Sequence, residues 1–436
     1  MEPKYSANNE LGTKNSWLPK AHPISWWMLL ITTLAILLTS IDRQLLPTVL
    51  PAIMKEYGLT EVQAGWLNSL SSVGTFAGAL IFGIIADMYG KGHKRSMTWV
   101  VAIGVAVVSG IATFFTKGLS SLYIWRVIMG IGTGGSEPVN VAIIGEWWQK
   151  ENRGFAVGVH HTGFPFGQFV GPVLMGAILM VGTWRDAFLW IPLIGLPIMI
   201  LQLIVGSRKN EEKVYSWIRE NGMTVPVDEE DQKQTKVENP FKVVKLALAD
   251  RNVAYCIAMI FLFLFAELGV STFMTLHLTE RVGLDLATAA VVSGASGITG
   301  WIGQAFWGTY SDHVGRKFAL RIIGVGWVVA VLACIFIDTQ ASAWAILIGW
   351  GLFRNSPFPV AYALLIDSVP KAAASGMGLM IAIAFGLSGF LVAPISGWFI
   401  HNLGWTANYI MLAAACALAF IPMAMLKETA GKNVAH

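Results

Sequence analysis

Charge is scarce in this sequence: Asp, Glu, Lys and Arg make up 13% of its 436 residues, while 55% are hydrophobic and the mean hydropathy is +0.60. A chain with so little polar surface cannot cover a water-soluble core, and the bilayer is its expected solvent. Cysteine is nearly absent. Cys256, Cys334 and Cys416 lie singly inside apolar stretches, which excludes a disulfide framework and a CxxC-type metal site and leaves them as buried or lipid-facing filler. There is no Walker A loop, no GxSxG elbow and no paired Cys or His ligand set. No catalytic residue, metal or cofactor is therefore expected, and an ion gradient or the solute's own gradient must supply the energy. The first 24 residues are polar and lack the apolar region of a cleaved signal peptide, so no processing is expected. The net charge of +4 is not gathered into a nucleic-acid patch, because Lys and Arg punctuate hydrophobic runs.

Those runs are the dominant feature. A crossing helix needs about 20 apolar residues, and candidate spans occur near 25–50, 63–86, 97–116, 121–146, 155–181, 186–206, 252–277, 287–311, 318–337, 342–366, 374–400 and 405–426. The fold class is thus an all-α membrane protein of twelve transmembrane helices. Residues 1–24 and 427–436 are tails, 25–206 and 251–426 are six-helix bundles, and the polar stretch 207–250 is a linker. With the N-terminus inside, the connections on its side hold 22 Lys and Arg against four on the other, Lys55, Lys117, Arg185 and Arg281. This asymmetry predicts both termini and the linker in the cytoplasm, and a multi-pass location in the cytoplasmic membrane.

The halves repeat one another. Gly83-Ile-Ile-Ala-Asp87-Met-Tyr-Gly90-Lys91 returns as Gly308-Thr-Tyr-Ser-Asp312-His-Val-Gly315-Arg316, and Pro138 through Glu146 returns as Pro359 through Asp367. Parallel six-span repeats mark a carrier that rocks one half against the other. The loop Gly83-x-x-x-Asp87-x-x-Gly90-Lys91, followed by Lys94 and Arg95, closely resembles the signature loop of the major facilitator superfamily, and so does its second copy with Lys317. Arg126-x-x-x-Gly130-x-Gly132-x-Gly134 is similar to the family's fourth-span pattern, and Gly163-x-x-x-Gly167-x-x-x-Gly171-Pro172 to its fifth-span glycine-proline motif, echoed by Gly386, Gly389, Pro394 and Gly397. The resemblance runs from about residue 25 to 426. It implies two pseudo-symmetric bundles and alternating access, with the signature loop latching the cytoplasmic side when the carrier faces outward. Asp42-Arg43-x-x-Leu-Pro47 with Arg126 resembles the anion:cation symporter branch, and Gly134-Gly135-Ser-Glu137-Pro138 resembles metabolite:proton symporters. In the former branch an acidic residue stands seven places after the fourth-span arginine. Here that position is Thr133, and Glu137 lies one helical turn further on.

Ionisable groups at membrane depth are costly and so are functional candidates. Asp42, Arg43, Arg126, Glu137, Glu267 and Arg354 fall in spans 1, 4, 7 and 10, which line the central cavity in the fold the resemblance implies. Guanidinium keeps its charge and offers a planar fork to a carboxylate, sulfonate or phosphate. Arg43, Arg126 and Arg354 are therefore the expected substrate contacts, with hydrogen bonds from Gln168, Gln304, Tyr362 and Asn355. The alternative for an arginine next to Asp42 is an internal ion pair. Proton coupling is expected from Asp42, Glu137 or Glu267, with His161, beside His160 near the start of span 5, as a relay. Glu146 and Asp367 face the basic loops and, with Asp87, Lys94, Arg95, Asp312 and Arg316, form the expected gates. The 18 tryptophans, among them Trp26, Trp27, Trp147, Trp148 and Trp405, read as interfacial anchors. The function expected is proton-coupled symport of a small organic anion by a monomer in the lipid bilayer. The alternative is a proton antiporter or exporter of an organic anion or drug-like compound.

Overall fold

The computed structural model describes residues 19–226, 250–368, 379–380 and 382–429, and these are helical without a β-strand among them. In the first half, α1 (Pro23–Tyr57), α2 (Glu61–Tyr89), α3 (His93–Phe114), α4 (Leu119–Glu146) and α5 (Arg153–Val181) are followed by α6 (Trp184–Leu193) and α7 (Gly195–Val205), which together make one crossing. A shorter α8 (Arg208–Glu220) follows them. The second half contains α9 (Arg251–Glu280), α10 (Leu286–Ser293) with α11 (Ser296–Val314) as one crossing, α12 (Arg316–Ala333), α13 (Gln340–Arg354), α14 (Pro357–Ser368), a π-helical turn at Ala382–Leu387, α15 (Ser388–Leu418) and α16 (Phe420–Met425).

Ten of these helices or joined pairs are each long and apolar enough to cross a bilayer. Two breaks reconcile ten with twelve. The tenth crossing is interrupted at Asn355–Ser356, where Pro357 has no N–H to continue the ladder, leaving α13 and α14 individually too short. The eleventh and twelfth are merged in α15 until Gly404, whose φ of 82° turns the chain in a way a residue with a Cβ resists. The start of the expected eleventh span, 374–378, lies outside the described residues, as do both tail ends and most of the linker.

Two hydrophobic cores are centred one in each half, and the first also takes in Phe273, Leu276 and Ile400 of the second, where the bundles meet. Within the first, α2 and α4 approach through glycines. A Cβ on Gly78 would lie 2.0 Å from the carbonyl oxygen of Ile131, and one on Gly130 would lie 2.2 Å from that of Ser71. Without a hydrophobic force between helices in lipid, this close backbone approach is what gains van der Waals contact.

Two expectations need correction. The segment 207–250 is not wholly a polar linker, because α8 buries Glu211, Val214, Tyr215 and Ile218 against the first bundle. That is one face of a helix at i, i+3, i+4 and i+7, obscured in the sequence by flanking charge. Trp147 and Trp148 are not interfacial anchors. Both are fully buried, and Trp148 packs edge-on to Trp26 and donates to the Ser25 carbonyl at 3.0 Å. Trp405 stacks on His277, whereas Trp27 is exposed. All three cysteines are buried.

Candidate functional site

The crossings alternate in direction, so each bundle has a face on the side of the central linker and a distal face. The contacts between halves gather in the distal portions of the helices. His401 meets Glu61 at 2.8 Å, Ser69 donates to the Phe390 carbonyl at 2.8 Å, and Asn68 donates to Thr272 at 3.0 Å. A Cβ on Gly397 would come within 2.3 Å of the Glu61 carbonyl oxygen, and one on Gly297 within 2.6 Å of the Phe169 nitrogen. Beyond Phe76, on the linker side, the α2 residues Leu80, Ile84 and Met88 are exposed. The distal side is therefore sealed by backbone-to-backbone packing.

Between the halves lies an open cavity of about 830 Å³, a volume that includes space continuous with solvent. Asp42, Arg43, Arg126, Glu267 and Arg354 are all in its wall, together with Gln168. Five of the six charges thus line one cavity and the sixth, Glu137, lies behind Arg43, but the pairing differs from what chain adjacency suggests. Arg43 does not pair with Asp42. Its Nη2 forms a short ion pair with Glu137, and its guanidinium lies over the rings of Phe164 at 5.6 Å and Phe385 at 4.8 Å. Neighbours on a helix point about 100° apart and cannot face one another, so Asp42 turns towards Arg126, the charged group acting on it. That approach stops short of a contact pair. The Oδ1 of Asp42 and the Nε of Arg126 are buried without a protein partner, while Arg126 Nη1 touches only the Met129 sulfur at 3.2 Å.

Along α4, Arg126 and Glu137 are eleven residues apart, about 16 Å at 1.5 Å per residue. The α4 helix enters from the distal side. Arg126 with Asp42 therefore forms an upper, distal level, and Arg43 with Glu137 a level nearer the linker side. His161 belongs to the lower level and stacks on Tyr362 across the halves at 6.2 Å. His160, beside it near the start of the same span, is fully buried.

In the second half Arg354 is held on three sides. Its Nε donates to Glu267 at 3.0 Å, Nη1 to Ser296 at 2.7 Å and Nη2 to Ser271 at 2.8 Å. Gln168 donates to the same Glu267 oxygen at 3.3 Å and accepts from Asn355 at 2.9 Å, tying α5 to the break between α13 and α14. Gln304, Tyr362 and Asn355, expected as substrate contacts, are not in the cavity wall. Asn355 is spent on Gln168, and Tyr362 faces His161. Sequence reasoning also passed over polar wall residues, among them Asn68, Ser71, Ser72, Ser271 and Thr272. Small polar residues in membrane helices usually bond other helices, and nothing in one dimension separates those that line a hollow.

Of the expected gate residues, Lys94, Arg95, Glu146 and Arg316 lie at helix ends on the linker face. Glu146 pairs with Arg95 at 3.0 Å and accepts from the Gly92 N–H at 2.7 Å. Glu211 of α8 accepts from both the backbone N–H and the ring of His93, so the linker helix is fastened to the signature loop. In the second copy, Glu428 accepts from the N–H groups of Arg316 and Lys317 at 2.8 and 3.0 Å. Lys94 is exposed. The side chains of Asp87, Asp312 and Asp367 lie outside what the structure describes.

The sequence matches the model of the Major Facilitator Superfamily over residues 32–380. The chain belongs to that superfamily: it is an integral membrane transporter and not an enzyme. Among known proteins it is similar to a hexuronate transporter of Bacillus subtilis (strain 168), 22% identical over 92% of this chain and 93% of the relative. A probable galactarate/D-glucarate transporter of Escherichia coli (strain K12) is 23% identical over 83% and 84% of the two chains, and a benzoate transport protein of Acinetobacter baylyi (strain ATCC 33305 / BD413 / ADP1) is 22% identical over 94% and 91%. In three dimensions it resembles a bacterial homolog of the human lysosomal transporter Spinster, solved inward-facing and unoccupied. The TM-score is 0.67 at 14% identity, covering 93% of this chain and 96% of that one.

Proposed function

We propose that this chain carries a small organic anion, a carboxylate, sugar acid or sulfonate, by alternating access and proton symport. The observation that carries the reading is the pair of unpartnered buried atoms facing one cavity, Arg126 Nε and Asp42 Oδ1. A guanidinium with a free donor is a standing site for a carboxylate. The carboxylate beside it competes for that donor until it takes a proton. Protonation of Asp42 removes the negative charge facing the anion beside Arg126, and protonation of Glu137 frees Arg43, so anion and proton assist one another's binding as linkage requires. With the distal side sealed, this structure corresponds to the half of the cycle that communicates with the linker side. The relatives that carry hexuronate, galactarate or glucarate, and benzoate by name support an acidic solute. In this reading the linker and termini are cytoplasmic, the membrane is the cytoplasmic one, and the monomer suffices because each chain encloses its own cavity.

The test is uptake into proteoliposomes with an imposed pH gradient, using labelled D-glucuronate, benzoate and sulfoacetate as probes. Accumulation of at least one that collapses when the gradient is dissipated supports the reading. Uptake of every recognised anion that ignores the gradient removes proton symport. Uptake strictly dependent on anion preloaded inside, and opposed by inward protons, favours the exchanger alternative.

A further inference from the structure

Building on the anion-carrier reading, we infer that the solute is a polyhydroxylated monocarboxylate, and that Glu267 on the second half is the acceptor for its hydroxyl groups. Glu267 is 4% exposed and lines the cavity. Its Oε1 accepts from Arg354 and Gln168, yet its Oε2 is buried with no protein partner. Arg354 cannot turn to satisfy that oxygen, because its two other nitrogens are held by Ser296 and Ser271 at hydrogen-bonding distance. A buried acceptor left bare costs about 1–3 kcal/mol, so the site favours a solute that brings a donor to this oxygen. The charge of Glu267 is already offset by Arg354, which makes a neutral O–H a fitting donor and a second carboxylate an unfavourable neighbour.

The surrounding wall has the same polarity. Thr272, Thr75 and Thr133 spend their hydroxyl hydrogens on the carbonyls four residues earlier, at 2.6, 2.9 and 3.1 Å. What each has left to offer is an oxygen lone pair. Asn68 spends an N–H on Thr272 and keeps its carbonyl oxygen. The unpartnered donors are guanidinium nitrogens, Arg126 Nε and Arg43 Nη1, and the acceptors are spread over α2, α4 and α9. The complementary solute has one anionic end and several O–H groups along its length. Benzoate and a simple fatty acid lack the hydroxyl donors. Glucarate and sulfoacetate place a second anion in the same hollow as Glu267.

Binding to the purified full-length protein tests this at one fixed pH, by calorimetry with D-gluconate, D-glucarate, hexanoate, benzoate and sulfoacetate. Gluconate is expected to bind at least tenfold more tightly than each of the other four. Glu267→Gln is expected to close most of the gap between gluconate and hexanoate. Thr272→Val, which keeps the shape and leaves Glu267 and Arg354 untouched, is expected to weaken gluconate about three- to tenfold, the worth of one hydrogen bond. Hexanoate, benzoate or glucarate binding as tightly as gluconate, or a gluconate preference unmoved by both substitutions, overturns the inference while leaving the anion site in place. Failure of all five to bind, with the protein monodisperse, removes the anion-carrier reading itself.

Discussion

Replacing Arg126 with Gln removes one of the two guanidinium groups in the cavity wall that keep an unused buried donor, the other being Arg43. In the native site a carboxylate can take two charge-assisted hydrogen bonds from this guanidinium, each worth about 1.5–3 kcal/mol net. Glutamine restores one bond at best, so the loss is at least the other charge-assisted bond, on the order of 1.5–3 kcal/mol. At about 1.4 kcal/mol per decade, that is roughly 10- to 100-fold in Kd. Asp42 adds to the effect, because its carboxylate then faces the anion with its opposing charge gone. The double variant Asp42→Asn with Arg126→Gln is accordingly expected to bind more tightly than the single Arg126→Gln, and to lose much of the pH dependence of binding. The assay is calorimetry with gluconate and benzoate at pH 6 and pH 8, on protein whose elution profile in detergent matches the parent. Affinity within threefold of the parent in Arg126→Gln refutes the placement of the anion. Affinities that merely add in the double variant refute the coupling between the two side chains.

Three further outcomes follow from the same geometry. Glu137→Gln breaks the ion pair with Arg43, and is expected to raise anion affinity at pH 8 several-fold while flattening its pH profile, read by titration across pH 5–8; an unchanged profile removes Glu137 from the coupling. Gly397→Leu places a side chain where even a Cβ lies 2.3 Å from the Glu61 carbonyl, so the distal seal opens; a cysteine introduced at Ser69 should react with maleimide only in that background, and equal reactivity in both shows the seal does not depend on this approach. The native Cys256, Cys334 and Cys416 are buried, so the parent should label only after denaturation. Glu211→Ala strips two hydrogen bonds from His93, and is expected to expose α8 to protease and lower the thermal transition, with anion affinity retained; unchanged proteolysis argues that the apolar face of α8 holds it alone.

Hydropathy and the duplicated loop were sufficient for the twelve crossings and two bundles, because a bilayer forces every crossing segment to declare itself as an apolar run. The six intramembrane charges were legible for the same reason: an ionisable side chain at that depth stands out against its neighbours. Less was readable where polarity was ordinary. The amphipathic face of α8 was lost in a charged stretch, and Asn68, Ser72 and Thr272 resembled any interhelical hydrogen-bonding residue until the helices were placed around a hollow.

Chain order alone thus determined which spans carry charge and that the halves mirror each other. Tertiary structure alone decided the partners: Arg43 with Glu137 rather than Asp42, Asp42 towards Arg126, and Arg354 with Glu267. The physical reason is that successive helical residues diverge by about 100°, so a side chain's partner is set by which helix packs against its face, and glycine contacts remote in sequence fix that packing.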